Sequence, residues 1–522
     1  MDIPKERSSH SAPTTRLGGL GIAVSMILSC LMFLPLHTLA WAFMSGLLVI
    51  VATGLIDDIV DVGARGKFVG QIAAAAVFVL SGGGSLVNLG GFLGFGDMTL
   101  GSFAIPFTIF CMVGGMNAFN LSDGLDGLAG GLAAIAVVFF IYFAKLSGAP
   151  FLLLVGVALL GAVIGFLRYN SYPAKLFMGD VGSLTLGYVL AALLVSGSQR
   201  GEVPLAAWAM VLALPLLDTL LVMAQRVRYG HSPFKPDRTH LHHRLMALGL
   251  SHPTVVVVMY AVMAFFGILA VALLKFPDWY TFIALCVTGA LLFGGVSGLQ
   301  RAGVTVKRGG SKRSYISFRQ YPLFLRAAKW VMENVVRVSM LLMLLVCLPV
   351  LFFPLPDLSR NEVLALFMLA GMVGFYGLHP TQTNMGMLHG SIYVSIFVLF
   401  FLFNLTADAS GGWPRVYLAT VSLLAALWVV AKIVFRKNTS VLRTSSFELL
   451  MVFLSWFLPF VLFVELRLPM NVVEAGRSAC LQVLPLMLSA KIYFNLQPQG
   501  NRWVVWVMVG AMLLVVLRDL AG

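Results

Sequence analysis

Apolar runs broken by short polar stretches extend along the whole 522-residue chain. Crossing a bilayer core takes roughly 20 apolar residues of helix. Runs of that kind mark about seventeen spans: 17–36, 39–56, 67–82, 101–118, 127–146, 150–167, 183–198, 204–224, 253–274, 279–298, 335–354, 362–378, 388–406, 414–431, 447–466, 473–490 and 503–517. The runs are continuous, not alternating, so a barrel of ten-residue strands is excluded. With no water to serve the backbone inside lipid, helices remain. The expected fold is all-α, a polytopic integral membrane helical bundle of about 17 transmembrane helices.

Composition sharpens this picture. Hydrophobic residues make up 59% and charged ones 11% of the chain, against about 25% charged in ordinary globular domains. Soluble and disordered classes are thereby excluded. The net charge of +14 does not point to nucleic acid, because the basic residues cluster in short loops between apolar runs, where they set membrane orientation. With residues 1–16 placed in the cytoplasm, the alternating inner loops hold 26 Lys and Arg and the outer side 8, with Arg337 inside a span. The five cysteines (Cys30, Cys111, Cys286, Cys347, Cys480) lie in apolar segments with no metal spacing. The first sixteen residues are polar and contain no secretory h-region.

Three parts are expected. Residues 1–300 carry ten spans with motif-rich inner loops. Residues 301–334 form a basic cytoplasmic linker around Lys307-Arg308-Gly309-Gly310-Ser311-Lys312-Arg313, a positive-inside anchor or a contact with anionic lipid. Residues 335–522 form a motif-poor helical membrane region with no assigned role.

Acidic side chains are scarce in such a chain, so clustered ones carry information. Asp57-Asp58 and Asp61 end the second span. Adjacent carboxylates persist where a cation or shared proton compensates them, or where water screens them; a base or cation site and a solvated helix end are both open. The loop Asn117-Ala118-Phe119-Asn120-Leu121-Ser122-Asp123-Gly124-Leu125-Asp126-Gly127 offers oxygen ligands and tight turns suited to Mg²⁺ or phosphate, or is a polar turn. It is not an EF-hand, because no Glu follows at the twelfth position. Between Arg168 and Ser183, Gly179-Asp180-Val181-Gly182 opens a helix, where a carboxylate can hold a cation while backbone N–H groups meet phosphate. Simple N-capping by Asp180 or Ser183 is the alternative. The run Lys235-Pro236-Asp237-Arg238-Thr239-His240-Leu241-His242-His243-Arg244 lacks Cys and HExxH, so it suits an anion clamp better than zinc. All four clusters fall on the predicted inner side. Together they describe a Mg²⁺–nucleotide-phosphate site at the membrane surface.

The order Asp57-Asp58, Asn117-x-x-Asn120-x-x-Asp123-Gly-x-Asp126-Gly-Leu-Ala, Gly179-Asp180-x-Gly-Ser and His240-x-His242-His243-Arg244 resembles the polyprenyl-phosphate N-acetylhexosamine-1-phosphate transferases, glycosyltransferase family 4. The stretch Asp2-Ile3-Pro4-Lys5-Glu6-Arg7-Ser8-Ser9-His10, with Pro13, Arg16, Gly18 and Gly19, resembles the family's first cytoplasmic loop, most of all in the O-antigen-initiating members. The likeness spans about residues 1–300. The His-Leu-His-His-Arg motif favours the branch using simple N-acetylhexosamines over the muramoyl-pentapeptide branch. Family members carry a helix ahead of this loop, whereas this chain begins inside it, so either the sequence starts late or one helix is absent.

The resemblance implies transfer of an N-acetylhexosamine 1-phosphate from a UDP-sugar to undecaprenyl phosphate in a bacterial plasma (inner) membrane, with the site facing the cytoplasm. It implies Mg²⁺, with Mn²⁺ as a substitute, held by Asp126 and Asp180. The implied catalytic set is Asp57, Asp58, Asp126 and His240. Lys67, Asn117, Asn120, Asp123, Asn170, His242, His243 and Arg244 are implied to bind substrate. Asp218 either lines the cavity or pairs with a nearby cation. A transporter would instead place its acids on a path near the midplane, and an inactive scaffold would have lost motif acids or histidines, none of which is lost.

Overall fold

The computed structural model describes residues 15–35, 37–92, 94–230, 239–303, 322–352, 358, 360–378, 385–405, 413–434, 450, 470–496 and 502–521. Residues 1–14, which hold the expected first loop, the basic run 307–313, residues 234–238 and most of the expected span 447–466 lie outside them. Among the described residues the structure is helical, with only isolated bridges at Thr15–Leu176 and Asn88–Thr99. Nine helices there are long and apolar enough to cross a membrane, or ten if one bent pair counts as a single span. The chain divides into two compact units, Met1–Gly310 and Ser311–Gly522.

The first unit contains α1 (Gly18–Phe33), α2 (Thr38–Val60), α3 (Gly63–Phe78), α4 (Ala104–Ser122), α5 (Leu128–Leu146), α6 (Pro150–Asn170), α7 (Gly179–Ser198), α8 (Leu205–Val211), α9 (Ala213–Arg228), α10 (Leu241–Ala247), α11 (His252–Ala272) and α12 (Asp278–Arg301). Two of these make the centre: 94% of the apolar window of α5 is buried and 89% of that of α7, against 17% for α12. α5 is rich in Gly and Ala, and α7 in Gly, Ala and Ser; such small residues let helices approach closely where lipid offers no hydrophobic drive to associate. At Gly54 on α2, a Cβ would come within 2.5 Å of the Val181 backbone on α7. Trp208 of α8 fills the other flank, edge-on to Phe140 and Phe143 of α5 at 4.9 and 5.2 Å.

One expected span needs correction. The span 204–224 is two helices, α8 and α9, bent by 78°. Pro215 has no N–H for the Val211 carbonyl, so the ladder breaks there, and Leu212 turns back to Ala209 at 3.0 Å. A broken span is a feature the transporter alternative anticipates, but this break has a local cause. Within the expected linker 301–334, a helix begins at Pro322 and runs to Cys347. Its first turns set Arg326, Lys329 and Glu333 among apolar residues, with Lys329 and Glu333 paired at i,i+4 and 3.8 Å; an apolar-run criterion misses such amphipathic turns.

The second unit continues with Pro349–Phe352, Arg360–Leu378, Met385–Leu405, Trp413–Val434, Met470–Leu496 and Arg502–Ala521. Val346, Val373, Ile392, Phe400, Met487 and Met512 lie in its core. Asn404 donates to Gln482 at 3.1 Å, and Ser422 donates to the Gln482 carbonyl, three residues before Pro485 inside the same helix.

Candidate active site

The site begins at a reversal. α2 ends at Asp61, in the left-handed region at φ 54, whose N–H bonds the Asp57 carbonyl at 2.8 Å; a short polar side chain tolerates that conformation better than most. The chain turns back into α3, and Lys67 returns beside the last turn of α2. Its Nζ lies 2.8 Å from Asp57 Oδ2 and 2.9 Å from Asp180 Oδ1. Two carboxylates from different helices thus share one ammonium. Asp57 is buried, and its Oδ1 has no hydrogen-bond partner.

Asp58 does different work. Its two carboxylate oxygens accept the backbone N–H groups of Asp180 at 3.0 Å and Val181 at 3.1 Å. These are among the N–H groups that a helix start leaves unsatisfied, and a negative charge there also suits the helix dipole. The N-terminus of α7 is therefore capped from α2, not by Asp180 or Ser183. Gly179 makes this approach feasible: its φ is +68, and a Cβ would stand 2.6 Å from Asp58 Oδ2. Asp58, expected in the catalytic set, thus holds the backbone that carries Asp180. Asn120 of α4 completes the arrangement, its amide donating to Asp180 Oδ1 at 2.7 Å and to Ser183 Oγ at 2.8 Å.

The loop between α4 and α5 is held from behind. Asp126 Oδ2 accepts the Ala174 N–H at 3.0 Å, and the Asp126 N–H reaches His252 Nε2 at 3.2 Å. Asn170 is expected to bind substrate, but both ends of its amide are engaged: Oδ1 accepts the Gly127 N–H at 2.9 Å, and Nδ2 donates to the Leu176 carbonyl at 2.8 Å. It staples two motif loops together. Asp123 is partly buried. Loss of solvation, then the nearby carboxylates of Asp180, Asp126 and Asp58, push its carboxyl up to about 7.

Beside Lys67 opens a cavity of about 440 Å³. Lys67, Asn117, Asn120, His240, His242 and His243 line it, so six of the expected residues meet there. Sequence reasoning missed Gln71, Met223 and Arg226 in the same wall. Arg226 ends an apolar span and reads as a membrane anchor in the sequence. The buried face Asp218, Val222, Arg226 of α9, a four-residue period, is the signal that could have found it. Arg244 is turned elsewhere. Its Nε donates to Gln300 at 3.0 Å and its NH2 group to Ser297 at 2.5 Å, both on α12. Arg244, expected in a pyrophosphate clamp, here ties α10 to α12.

Comparison with known proteins settles the family. Residues 40–198 match the model for Glycosyl transferase family 4. A probable undecaprenyl-phosphate N-acetylglucosaminyl 1-phosphate transferase of Bacillus subtilis is 33% identical over 294 residues, covering 81% of that protein and 55% of this chain. The chain belongs to glycosyl transferase family 4. A decaprenyl-phosphate N-acetylglucosaminephosphotransferase of Mycolicibacterium smegmatis is 36% identical over 290 residues, 71% of that protein and 49% of this chain. The undecaprenyl-phosphate alpha-N-acetylglucosaminyl 1-phosphate transferase of Yersinia pestis is 30% identical over 308 residues, 83% of that protein and 56% of this chain.

In this family 4 chain, Asp57 and Asp180 meet at Lys67, and Asp123 on the neighbouring loop lies within the electrostatic reach of Asp180 and Asp126; carboxylate oxygens are the donor type Mg²⁺ takes. Among the described residues, no three His, Cys, Asp or Glu side chains converge on one ion. Mg²⁺ commonly takes one or two carboxylates and fills its remaining positions with phosphate oxygens and water, so the residues present fit an ion that arrives with a phosphate substrate. The imidazoles behave differently. His242 is 2% exposed, and neither ring nitrogen has a hydrogen-bond partner. Burial, then the neighbouring His243, His240 and His252, bring its pKa down to about 3.

That depression has a measurable consequence. As pH falls through about 6.5, the unfolded chain protonates this ring while the folded one does not. The contribution is present in full above pH 6.5 and is lost as pH drops toward 3. The purified protein should therefore melt at a lower temperature at pH 5 than at pH 7.5, and His242→Gln should reduce that difference. An unchanged difference in the variant would count against a buried neutral His242.

Proposed function

We propose that this chain transfers an N-acetylhexosamine 1-phosphate from a UDP-sugar to undecaprenyl phosphate, releasing UMP and starting a lipid-linked, O-antigen-like cell-envelope polysaccharide. The observation that carries the proposal is the Lys67 ammonium held between Asp57 and Asp180 at the wall of a cavity that His240, His242, His243 and Arg226 also line. Cationic and imidazole groups suit phosphate oxygens, and carboxylates on hydrogen-bonded helix ends suit a divalent ion and a proton acceptor. The family relatives' names agree with a polyprenyl phosphate acceptor.

In this reading a lipid-phosphate oxygen attacks the sugar-bearing phosphorus of the donor. The bond between the two donor phosphates breaks, and UMP leaves with the bridging oxygen. Asp57 orients the lipid phosphate and accepts its proton when it arrives protonated. Lys67 and the histidines hold the phosphate oxygens in line. Asn117, Asn120 and Asp123 face the nucleotide. Mg²⁺, held by Asp180 and Asp126, would neutralise charge between two anionic reactants. We place the protein in a bacterial plasma (inner) membrane as a bundle of about seventeen spans, with this cavity open to the cytoplasm. The 26-to-8 distribution of basic residues supports that orientation.

The test is an assay of the purified protein with undecaprenyl phosphate, Mg²⁺ and a panel of UDP-N-acetylhexosamines, following lipid-linked product and UMP. One sugar is expected to react, and excess EDTA to stop the reaction. Full turnover in EDTA would remove the metal from the proposal; no product with any sugar would remove the transfer reaction.

A further inference from the structure

Asp218 sits on α9, 4% exposed, and the steps above give it no part. Its Oδ2 lies 3.0 Å from His240 Nδ1, and its Oδ1 accepts the backbone N–H of Leu241 at 2.8 Å. A carboxylate offers only acceptors, so Nδ1 of His240 carries the proton. The opposite nitrogen, Nε2, is buried with no hydrogen-bond partner, in a residue that lines the cavity. A buried polar atom left without a partner is costly; at a cavity wall, a ligand atom is what can satisfy it. The bond to Leu241 also holds the first residue of α10, the helix that bears His242 and His243.

We propose that Asp218 is the positioning residue of the transfer reaction. It fixes the ring of His240 through Nδ1 and supplies the counter-charge that lets the ring take a second proton from solvent on Nε2, so that Nε2 donates to a phosphate oxygen of the nucleotide-sugar. This rests on the transfer reading given above. The carboxylate matters beyond its shape. An asparagine at 218 can still accept the Leu241 N–H, but it then turns its NH₂ group towards Nδ1. The ring proton moves to Nε2, and the compensating negative charge is gone. Nε2 then meets the phosphate as a neutral donor, and the attraction between an imidazolium and the anionic phosphate is lost.

The experiment uses the full chain, with Asp218→Asn, His240→Ala and the double substitution. Asp218→Asn should lower kcat/KM for the UDP-sugar by about 10- to 100-fold, following the strength of a charge-assisted bond. It should leave the KM for undecaprenyl phosphate unchanged within about two-fold and the melting temperature close to that of the unmodified protein. In the His240→Ala background it should add nothing, because the two residues act as one unit. A second readout needs no turnover. In protein labelled with ¹⁵N-histidine, the His240 resonance, assigned by its loss in His240→Ala, should show a protonated Nδ1, with the proton on Nε2 in Asp218→Asn. Unchanged kcat/KM in Asp218→Asn, multiplying effects in the double variant, or a bare Nδ1 in the unmodified protein would each overturn the proposal. If Asp218→Asn does not fold, the ring of the unmodified protein still decides. If the ¹⁵N pattern is as expected but no UDP-sugar reacts, the phosphate ligand falls with the transfer reading, and the hold of Asp218 on His240 is upheld.

Discussion

Asp180→Asn is expected to lower sugar-phosphate transfer by about 10³-fold while the protein stays folded, the scale on which removal of a preorganised electrostatic group acts. The substitution changes charge at nearly constant size. An asparagine oxygen can still accept from the Asn120 amide and from Lys67, which meet Asp180 Oδ1 at 2.7 and 2.9 Å. The two contacts of Asp58 with the start of α7 go to backbone N–H groups, so the side-chain change leaves them in place. What disappears is the negative charge that balances Lys67 and, in the proposed reaction, holds Mg²⁺. Thermal melting within a few degrees of the unmodified protein, together with the loss of turnover, is the expected pair of results. Near-normal turnover would show that the charge of Asp180 does no chemical work.

The parts of this site that were legible in the sequence are those whose function is written in residue type. Asp57, Asn120, Asp180 and His240 stand out as polar groups in an apolar chain, and the structure brings them to one end of the first unit. The parts that were not legible depend on where a side chain points. Asp58, Asn170 and Arg244 are as polar and as close to the motifs as their neighbours. Their hydrogen bonds go to backbone N–H groups, to a carbonyl and to α12, partners separated from them by 43 to 123 residues in all but the Leu176 carbonyl. No local spacing encodes such a partner. Most helices of the first unit fell near their apolar runs because lipid thickness sets their length. The α8–α9 break was visible in principle at Pro215, but an averaged apolar run passes over a single proline.

Lys67→Met is expected to abolish measurable transfer and also to lower the melting temperature, which separates it from Asp180→Asn. Lys67 is the cation that meets both Asp57 and Asp180. The Asp57 side chain is only 3% exposed, so removing its partner leaves a buried negative charge beside a second one. Removing one member of a buried pair costs about 3–5 kcal/mol, and the part-exposed lysine puts this pair toward the lower end of that range. A compensating change tests the cause: Asp57→Asn added to Lys67→Met removes the stranded charge and should recover much of the lost melting temperature. It should not recover turnover, because neither the ammonium for phosphate oxygens nor the carboxylate for the lipid phosphate returns. Lys67→Arg should keep the fold, since a guanidinium can pair with two carboxylates, but should work poorly, since its wide planar fork cannot stand in for a compact ammonium. If Lys67→Met melts and turns over like the unmodified protein, the ammonium between Asp57 and Asp180 is not the centre of the site.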